Sequence, residues 1–555
     1  FTCMAMQKVE VPKGTPGAYR YSIPRAFRGP HGGYTPGALA KAYSFNAKSG
    51  KGETVAIVDW NDDPSVRSDL NHFDKHYGLP KETSKSFRVV NQNGKAHPLP
   101  SPDQHASVEI ALDVEAVRGV CQKCKIILVE AKAGLSTDLA KAENTAARFG
   151  VDVISNSFGS PEVKGHPYPS SIVKAFNNHP GIVTTVSSGD DGFYYWDLRN
   201  ADPFGTNLPH QASFPSTLPN VVAVGGTSLR VNPNGTRKSE SVWDTNGASD
   251  VQGNTQNRPL GAAGGGCSVL FKAPSWQKHM AGYKQAGCKG KRLAVDVSAV
   301  GDPSTGYSVY DSFGLNGWAV IGGTSLSSPV IAAMFALSGG KPRDTTPGHA
   351  LYQNKNLRPK ALYDVKTGGN GWCGGASLKA CSAQARTLGA GNPNRLYAAK
   401  VDCSYPIGHG KMPKHKDPEC NAQAGYDGPT GVGTPNGLAP MNTTLPAVGF
   451  TITTPRRAHH KLKFNASIKR VLDSSKIKTK KWTFGDGSKS KKGGTVHHTY
   501  RKSGHYTVKL TVKDNRGQHV VASKRIHVKS RGRRPPVRGR TARCPCGPRG
   551  RRRRR

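Results

Sequence analysis

A series of short apolar runs constrains the fold more than any other feature of this sequence. Thr54-Val55-Ala56-Ile57-Val58-Asp59, Lys125 to Val129, Val151 to Ser155, Gly181 to Val186 and Val221 to Val224 are each short and nearly continuous. Runs of that kind suit strands buried on both faces, which are typical of parallel sheets. Helical patterns separate several of them, over Val108 to Val117 and Thr137 to Phe149, and an earlier one runs from Tyr34-Thr35-Pro36 through Leu39 to Tyr43. Alternating strands and helices predict an α/β domain with a mainly parallel sheet and ligand sites at the strands' carboxyl ends. From about Val448 the period changes. Lys461-Leu462-Lys463-Phe464-Asn465 and Tyr506-Thr507-Val508-Lys509-Leu510-Thr511-Val512 alternate apolar with polar. Period two predicts the half-buried strands of an antiparallel β-sandwich. The expected organisation is a linker or processed-segment remnant over residues 1–33, a large domain over 34–446, a small sandwich over 447–529, and an Arg-rich tail over 530–555. The tail's composition cannot support a core, so disorder is expected there.

The chain carries 79 Lys and Arg against 36 Asp and Glu, a formal net charge of +43. Such a balance favours polyanionic surroundings: nucleic acid, an anionic cell wall or a membrane surface. The tail lacks aromatic interleaving and any recognisable motif, so no specific nucleic-acid partner is expected. No uninterrupted apolar run reaches membrane-spanning length, and no transmembrane helix is predicted. The first residue is Phe1, consistent with a fragment or processed form whose signal peptide is out of view. Of 11 cysteines, the local pairs Cys121/Cys124, Cys267/Cys288, Cys373/Cys381 and Cys403/Cys420 suggest disulfides and an oxidising compartment, with other connectivities open. Cys121 and Cys124 have no matching second pair at zinc spacing.

Three local patterns carry chemistry. Gly322-Gly323-Thr324-Ser325-Leu326-Ser327-Ser328-Pro329 lies between the apolar runs Gly317 to Ile321 and Val330 to Leu337. Two glycines before a small hydroxyl residue and a helical pattern predict a tight turn feeding a buried helix, with Ser325 at its N-terminus. There free N–H groups and the helix dipole favour a developing oxyanion. In His105 to Glu115, Glu109 and Asp113 are spaced i, i+4 and share one helix face, where like charges raise at least one pKa; Glu115 reads as a solvated acid. Ser188-Gly189-Asp190-Asp191-Gly192 follows an apolar strand, and Asp190 is placed to reach into a cleft.

In their order along the chain, Glu109 with Asp113, SGDDG at Ser188 to Gly192, VAVGGTSL at Val222 to Leu229, GGGCSVLFKAPSWQ at Gly264 to Gln277, RLAVDVSAVGDPSTGY at Arg292 to Tyr307 and GGTSLSSP resemble the sedolisin family of serine-carboxyl peptidases. The resemblance covers about residues 34 to 446. It implies a subtilisin-like fold, a parallel sheet with helices on both faces. It makes Ser325 the nucleophile, Glu109 its general base, Asp113 the residue that orients Glu109, and Asp190 the partner of the Ser325 N–H in the oxyanion hole. The family's inhibitory propeptide is not seen before Tyr34. WTFGDG at Trp482 to Gly487 resembles the hallmark of PKD domains, which implies an immunoglobulin-like sandwich used as an accessory module.

The resemblance also implies one structural Ca2+ held by the carboxylates of Asp364 and Asp427 and the carbonyls of Val365, Gln423 and Gly425. Those are hard oxygen ligands of the kind calcium takes. The function so implied is a secreted, monomeric serine-type endopeptidase. It would cleave protein or peptide substrates at acidic pH, where a carboxylate base stays ionised and imidazole does not. A polysaccharide, cell-wall component or protein is the expected ligand of the PKD module. Two alternatives compete: a Ser-His-Asp peptidase with Asp59 as its acid, and a catalytically inactive secreted adhesin that uses the sandwich and basic tail.

Overall fold

The computed structural model describes residues 1–8, 22–50, 52–177, 179, 181–192, 212–244, 248–250, 262–339, 348–353, 361–370, 418–441, 447–453, 460–469, 477–514 and 519–528. The Arg-rich tail, Cys373, Cys381 and Cys403 lie outside the described residues. The chain divides into two compact units. The first covers Phe1–Pro446, and the second is built from Ala447–Lys469, Ile477–Asp514 and the strand that begins at His519.

The predicted apolar runs become the strands of the main sheet. Their spatial order is Arg237–Val242, Val222–Val231, Val183–Ser187, Val153–Asn156, Thr54–Trp60, Lys125–Ala131 and Phe87–Asn91, with Val297–Val300 also paired to Val222–Val231. Every pairing is parallel except that of Arg237–Val242, which is antiparallel. Burial on both faces explains why these strands read as continuous apolar runs. Val55 and Ile57 join one core with the helices Gln104–Val120 and Thr324–Leu337, while Ala56 and Val58 join another with Ser136–Arg148 and Ser170–Asn177. Each fully buried Val, Ile or Leu contributes about 1.5–3 kcal/mol relative to exposure. The first helical pattern forms Pro36–Ala42, started by Pro36 and capped by the Thr35 hydroxyl, which accepts from the Ala38 N–H at 3.1 Å.

Two described disulfides, Cys121–Cys124 and Cys267–Cys288, match the local pairing, and Cys420 is also disulfide-bonded. Cys267 and Cys288 lie beside Glu419 in metal-like proximity, but the S–S bond consumes both thiols. Glu115 corrects the sequence reading. It is 1% exposed, accepts from the Tyr310 N–H at 3.0 Å, and burial raises its carboxyl well above the ordinary range. The whole of Ala106 to Val120 is buried, so this helix has no solvated stripe for Glu115 to occupy.

The second unit holds two antiparallel sheets. One is ordered Ala447–Thr453, Lys461–Lys469, Thr495–Thr499; the other Lys491–Lys492, Ile477–Thr483, Gly504–Asp514, His519–Val528. Trp482 and Phe484 of the WTFGDG stretch alternate into a core with Phe464, Val508 and Leu510. The Trp482 indole N–H is satisfied by the Gly493 carbonyl at 2.9 Å. Gly485 and Gly487, at φ 79° and 76°, make the turn that follows.

Candidate active site

The strand Gly317–Gly322 runs into the buried helix Thr324–Leu337 through Gly323, whose φ is 95°. A Cβ at Gly323 would come within 2.0 Å of the Met4 carbonyl oxygen and 2.5 Å of Asp190 Oδ2, so glycine is required for conformation and for space. The N-cap residue Gly323 has no side chain to cap the helix, which leaves the first N–H groups for partners from other segments. Ser325 is in the first turn and fully buried. Pro329 cannot donate to the Ser325 carbonyl, as residue i+4 of a helix ordinarily would. The Ser157 hydroxyl lies 3.5 Å from that carbonyl instead.

Glu109 and Asp113 come from the helix Gln104–Val120, whose start is set by Asp103 accepting from the N–H groups of His105 and Ala106 at 3.0 and 2.9 Å. The i, i+4 spacing places both carboxyls toward Ser325 and Ser157. Both oxygens of Asp113 lie within reach of the Ser157 hydroxyl, at 2.9 and 2.7 Å. Burial raises Asp113 well above the ordinary carboxylate range, Asp59 and Glu109 raise it further, and the Ser157 hydroxyl opposes. Glu109 behaves alike: burial first, then Asp59, raise it, and the Ser325 hydroxyl is the strongest opposing group. The Ser325 Oγ also makes a long 3.5 Å contact to the Ser157 carbonyl. Ser325 and Glu109 are thus neighbours without a tightly closed hydrogen bond between them.

Asp190 follows the strand Val183–Ser187. Its Oδ1 accepts from both the N–H and the hydroxyl of Thr324, each at 2.7 Å, and the Thr324 Oγ1 in turn accepts from the Gly189 N–H at 3.1 Å. The Asp190 carboxyl is thereby fixed at the N-terminus of the helix that carries Ser325.

Two residues join this group that sequence reasoning did not place in it. Asp59 stands at the carboxyl end of the strand Thr54–Trp60, and the sequence reading tied it only to a Ser-His-Asp alternative. Neither of its oxygens has a hydrogen-bond partner among the described residues, and burial pushes its carboxyl up to about 7. Its position at a strand's carboxyl end was the available signal. Ser157, the bridge between Asp113 and the Ser325 segment, gave no signal, since a serine after a strand is commonplace. His105 is exposed at the start of the helix, and the side chains that interact with Glu109 are carboxyls and a hydroxyl. A Ser-His-Asp arrangement therefore finds no support in this geometry.

The segment at the chain's start, expected to be part of a linker, lies across the same site. Thr2 and Cys3 pair antiparallel with Gly159 and Phe158, and Met6 and Gln7 pair antiparallel with Gly322 and Ile321. Between them the Met4 N–H donates to Glu109 Oε2 at 2.9 Å. The Met4 sulfur is 3.1 Å from the Ser187 hydroxyl, and a Cβ at Gly159 would come within 2.2 Å of the Met4 methyl. An extended peptide strand thus occupies the cleft, its carbonyl turned toward Gly323 and its side chain in a slot lined by Gly159 and Ser187.

Four of the five proposed calcium ligands, Asp364, Gln423, Gly425 and Asp427, are also brought together. The Gly425 N–H donates to both oxygens of Asp364 at 3.1 Å, and the Gln423 N–H donates to Asp427 Oδ2 at 3.0 Å. Asp427 is fully buried, and burial, with Asp364 adding to it, raises its carboxyl to about 7. Lys366 reaches Asp364 only at 3.9 Å from the exposed side. Two converging carboxyls, one of them fully buried, fit a hard divalent cation. Much of the intervening loop, residues 371–417, lies outside the described residues.

Both units resemble known proteins. The subtilase family matches residues 50–350 and the PKD domain matches residues 445–529. Sedolisin of Pseudomonas sp. (strain 101) is 29% identical over 354 residues, 62% of this chain and 57% of that protein. Kumamolisin of Bacillus sp. (strain MN-32) is 29% identical over 351 residues, 61% of this chain and 57% of that protein. Tripeptidyl-peptidase 1 of Rattus norvegicus is 26% identical over 399 residues, 62% of this chain and 61% of that protein. The chain thus spans 57% to 61% of these relatives' own length. Among solved structures, Pseudomonas sedolisin, a serine-carboxyl proteinase complexed with two molecules of pseudo-iodotyrostatin, superposes with a TM-score of 0.54 at 26% identity. That match covers 73% of this chain and 95% of the other. With its fold and a match over more than half its length in agreement, the chain belongs to the subtilase family, in its sedolisin branch, and carries a PKD domain beside the peptidase-type unit.

Proposed function

We propose that this protein is a serine-carboxyl endopeptidase that cleaves extended peptides at acidic pH. One observation supports the reading above others: the strand Thr2 to Gln7 lies in the cleft with its Met4 N–H on Glu109 and its Met4 carbonyl against Gly323. A substrate strand placed alike would present its carbonyl to Ser325. Glu109 takes the Ser325 proton as Oγ attacks, and Asp113, tied to Ser157, holds Glu109 in place and shares the cluster's protons. The tetrahedral oxyanion forms at the helix N-terminus and receives the Ser325 N–H. Asp190 Oδ1 already accepts two hydrogens from Thr324, so in its acid form the carboxyl carries its proton on Oδ2, which Gly323 leaves unobstructed. That proton is the second oxyanion donor. Glu109 then returns its proton to the leaving amine, and water releases the acyl group from Ser325 by the reverse steps.

The scheme needs a base ionised and an acid protonated together, which places the working range on the acid side of neutrality. Asp364, Val365, Gln423, Gly425 and Asp427 would hold a structural Ca2+, without a part in the chemistry. The disulfides support an extracellular setting. The test is digestion of a mixed peptide library across pH, with cuts read by mass spectrometry. Internal cuts at acidic pH that vanish in Ser325→Ala support the reading. Release of tripeptides from free N-termini would assign an exopeptidase, and unchanged cleavage by Ser325→Ala would refute the nucleophile.

A further inference from the structure

The four-stranded sheet of the sandwich has one face in the core and one in solvent. Trp482, Val508, Leu510 and Val512 point inward, each at most 1% exposed. Strand alternation therefore sends their neighbours outward. The register assembles these neighbours into rows. Lys492 lies opposite Lys481, which lies opposite Thr511, which lies opposite Val521. Thr483 faces Lys509, which faces Ser523. Thr479 faces Lys513, and Thr507 faces Arg525. Lys481, Lys492, Lys509, Lys513 and Arg525 are all exposed.

None of these outward positions is acidic. Asp473, Asp486 and Asp514 are the only carboxylates between residues 447 and 529, against lysines or arginines on every strand of this sheet. Asp486 is engaged elsewhere, by His498 at 2.7 Å and by Ser488. Like charges directly opposite each other, as at Lys481 and Lys492, oppose sheet formation. The fold gains nothing from them, whereas an anionic ligand would. Neighbouring strands are about 4.8 Å apart, and side chains two residues apart on a strand about 7 Å, so the cations form a flat grid rather than a point.

We propose that this face binds an acidic polysaccharide chain, one bearing sulfate or carboxylate groups along its length. Charge complementarity supplies the attraction. The interleaved hydroxyls of Thr479, Thr483, Thr507, Thr511 and Ser523 supply hydrogen bonds suited to a sugar. Nucleic acid fits less well. The outward positions hold no Phe, Tyr or Trp on which a base could stack, the outward His505 and His527 rings stack on each other at 4.5 Å, and a sheet face offers no element that enters a duplex groove. The inference is independent of the peptidase reading, because it uses none of the residues of that site.

The test uses the full chain with Ser325→Ala to prevent self-digestion, and dextran sulfate as the probe with uncharged dextran as its control. One variant combines Lys481→Gln, Lys509→Gln, Lys513→Gln and Arg525→Gln. A second removes equal charge from exposed positions off this face, with Lys461→Gln, Lys489→Gln, Arg501→Gln and Lys502→Gln. Circular dichroism confirms that both fold. The face variant should lose about tenfold or more in affinity at 0.15 M salt, and the control variant less than about threefold. Equal losses, or none in the face variant, would overturn the site, the latter assigning binding to the Arg-rich tail or elsewhere. Tighter binding of polyuridylate or duplex DNA than of dextran sulfate at the same salt, lost in the face variant, would overturn the polysaccharide assignment.

Discussion

Replacing Asp59 by Asn should stabilise the protein at neutral pH and leave it nearly unchanged at pH 4. Asp59 is 2% exposed and neither oxygen is hydrogen-bonded among the described residues, so its charged form is penalised by burial alone. Its carboxyl is raised from 3.8 to about 7. A group whose folded pKa lies above its unfolded one favours the folded state fully at low pH, and that favour is lost as pH rises through the interval. At about 1.4 kcal/mol per pH unit, the interval of roughly three units costs about 4 kcal/mol by pH 7. Sharing of protons with Glu109 and Asp113 makes this an upper value. Asn is neutral at every pH and close in shape, so the variant avoids the cost. The assay is urea unfolding at pH 4 and pH 7 in a Ser325→Ala background. Stabilisation of equal size at both pH values, or destabilisation at pH 7, would refute the reasoning. The same substitution removes a negative charge that raises Glu109 and Asp113. In the active protein, the rising limb of the pH–rate profile should therefore move to lower pH.

Glu109→Gln should abolish turnover with the fold retained, as read by peptide hydrolysis beside circular dichroism. Asp190→Asn should lower kcat by about 10²–10³ with little change in KM, and a loss mainly in KM would assign Asp190 to substrate binding. Ser157→Ala should remove the hydroxyl that opposes protonation of Asp113, moving the rising limb of the profile upward in pH. Chelation should lower the melting temperature, and added calcium should protect more at pH 7 than at pH 5, because Asp427 must lose its proton to bind. Asp427→Ala should abolish that protection, and calcium protection that survives it would place the ion elsewhere.

Much of this protein was legible in local sequence, for physical reasons that differ by element. Strands buried on both faces must be apolar at successive positions, so Val55 to Val58 announced the sheet before its order was known. The i, i+4 spacing of Glu109 and Asp113 is a property of one helix and needs no partner to be read. Gly323 announces a turn, and Trp482 with Phe484 announces alternation into a sandwich core. What tertiary structure alone decided is what each of these faces. Glu115 sits on the same helix as Glu109 at a spacing that says nothing of depth, and it is buried because neighbours cover every side of that helix. Asp59, Ser157 and Met4 reach the site from separate segments, and no local pattern records that convergence. The upward shift of the site's carboxyls is likewise a tertiary effect. Carboxyl groups keep ordinary pKa values until packing removes their water and sets them beside one another.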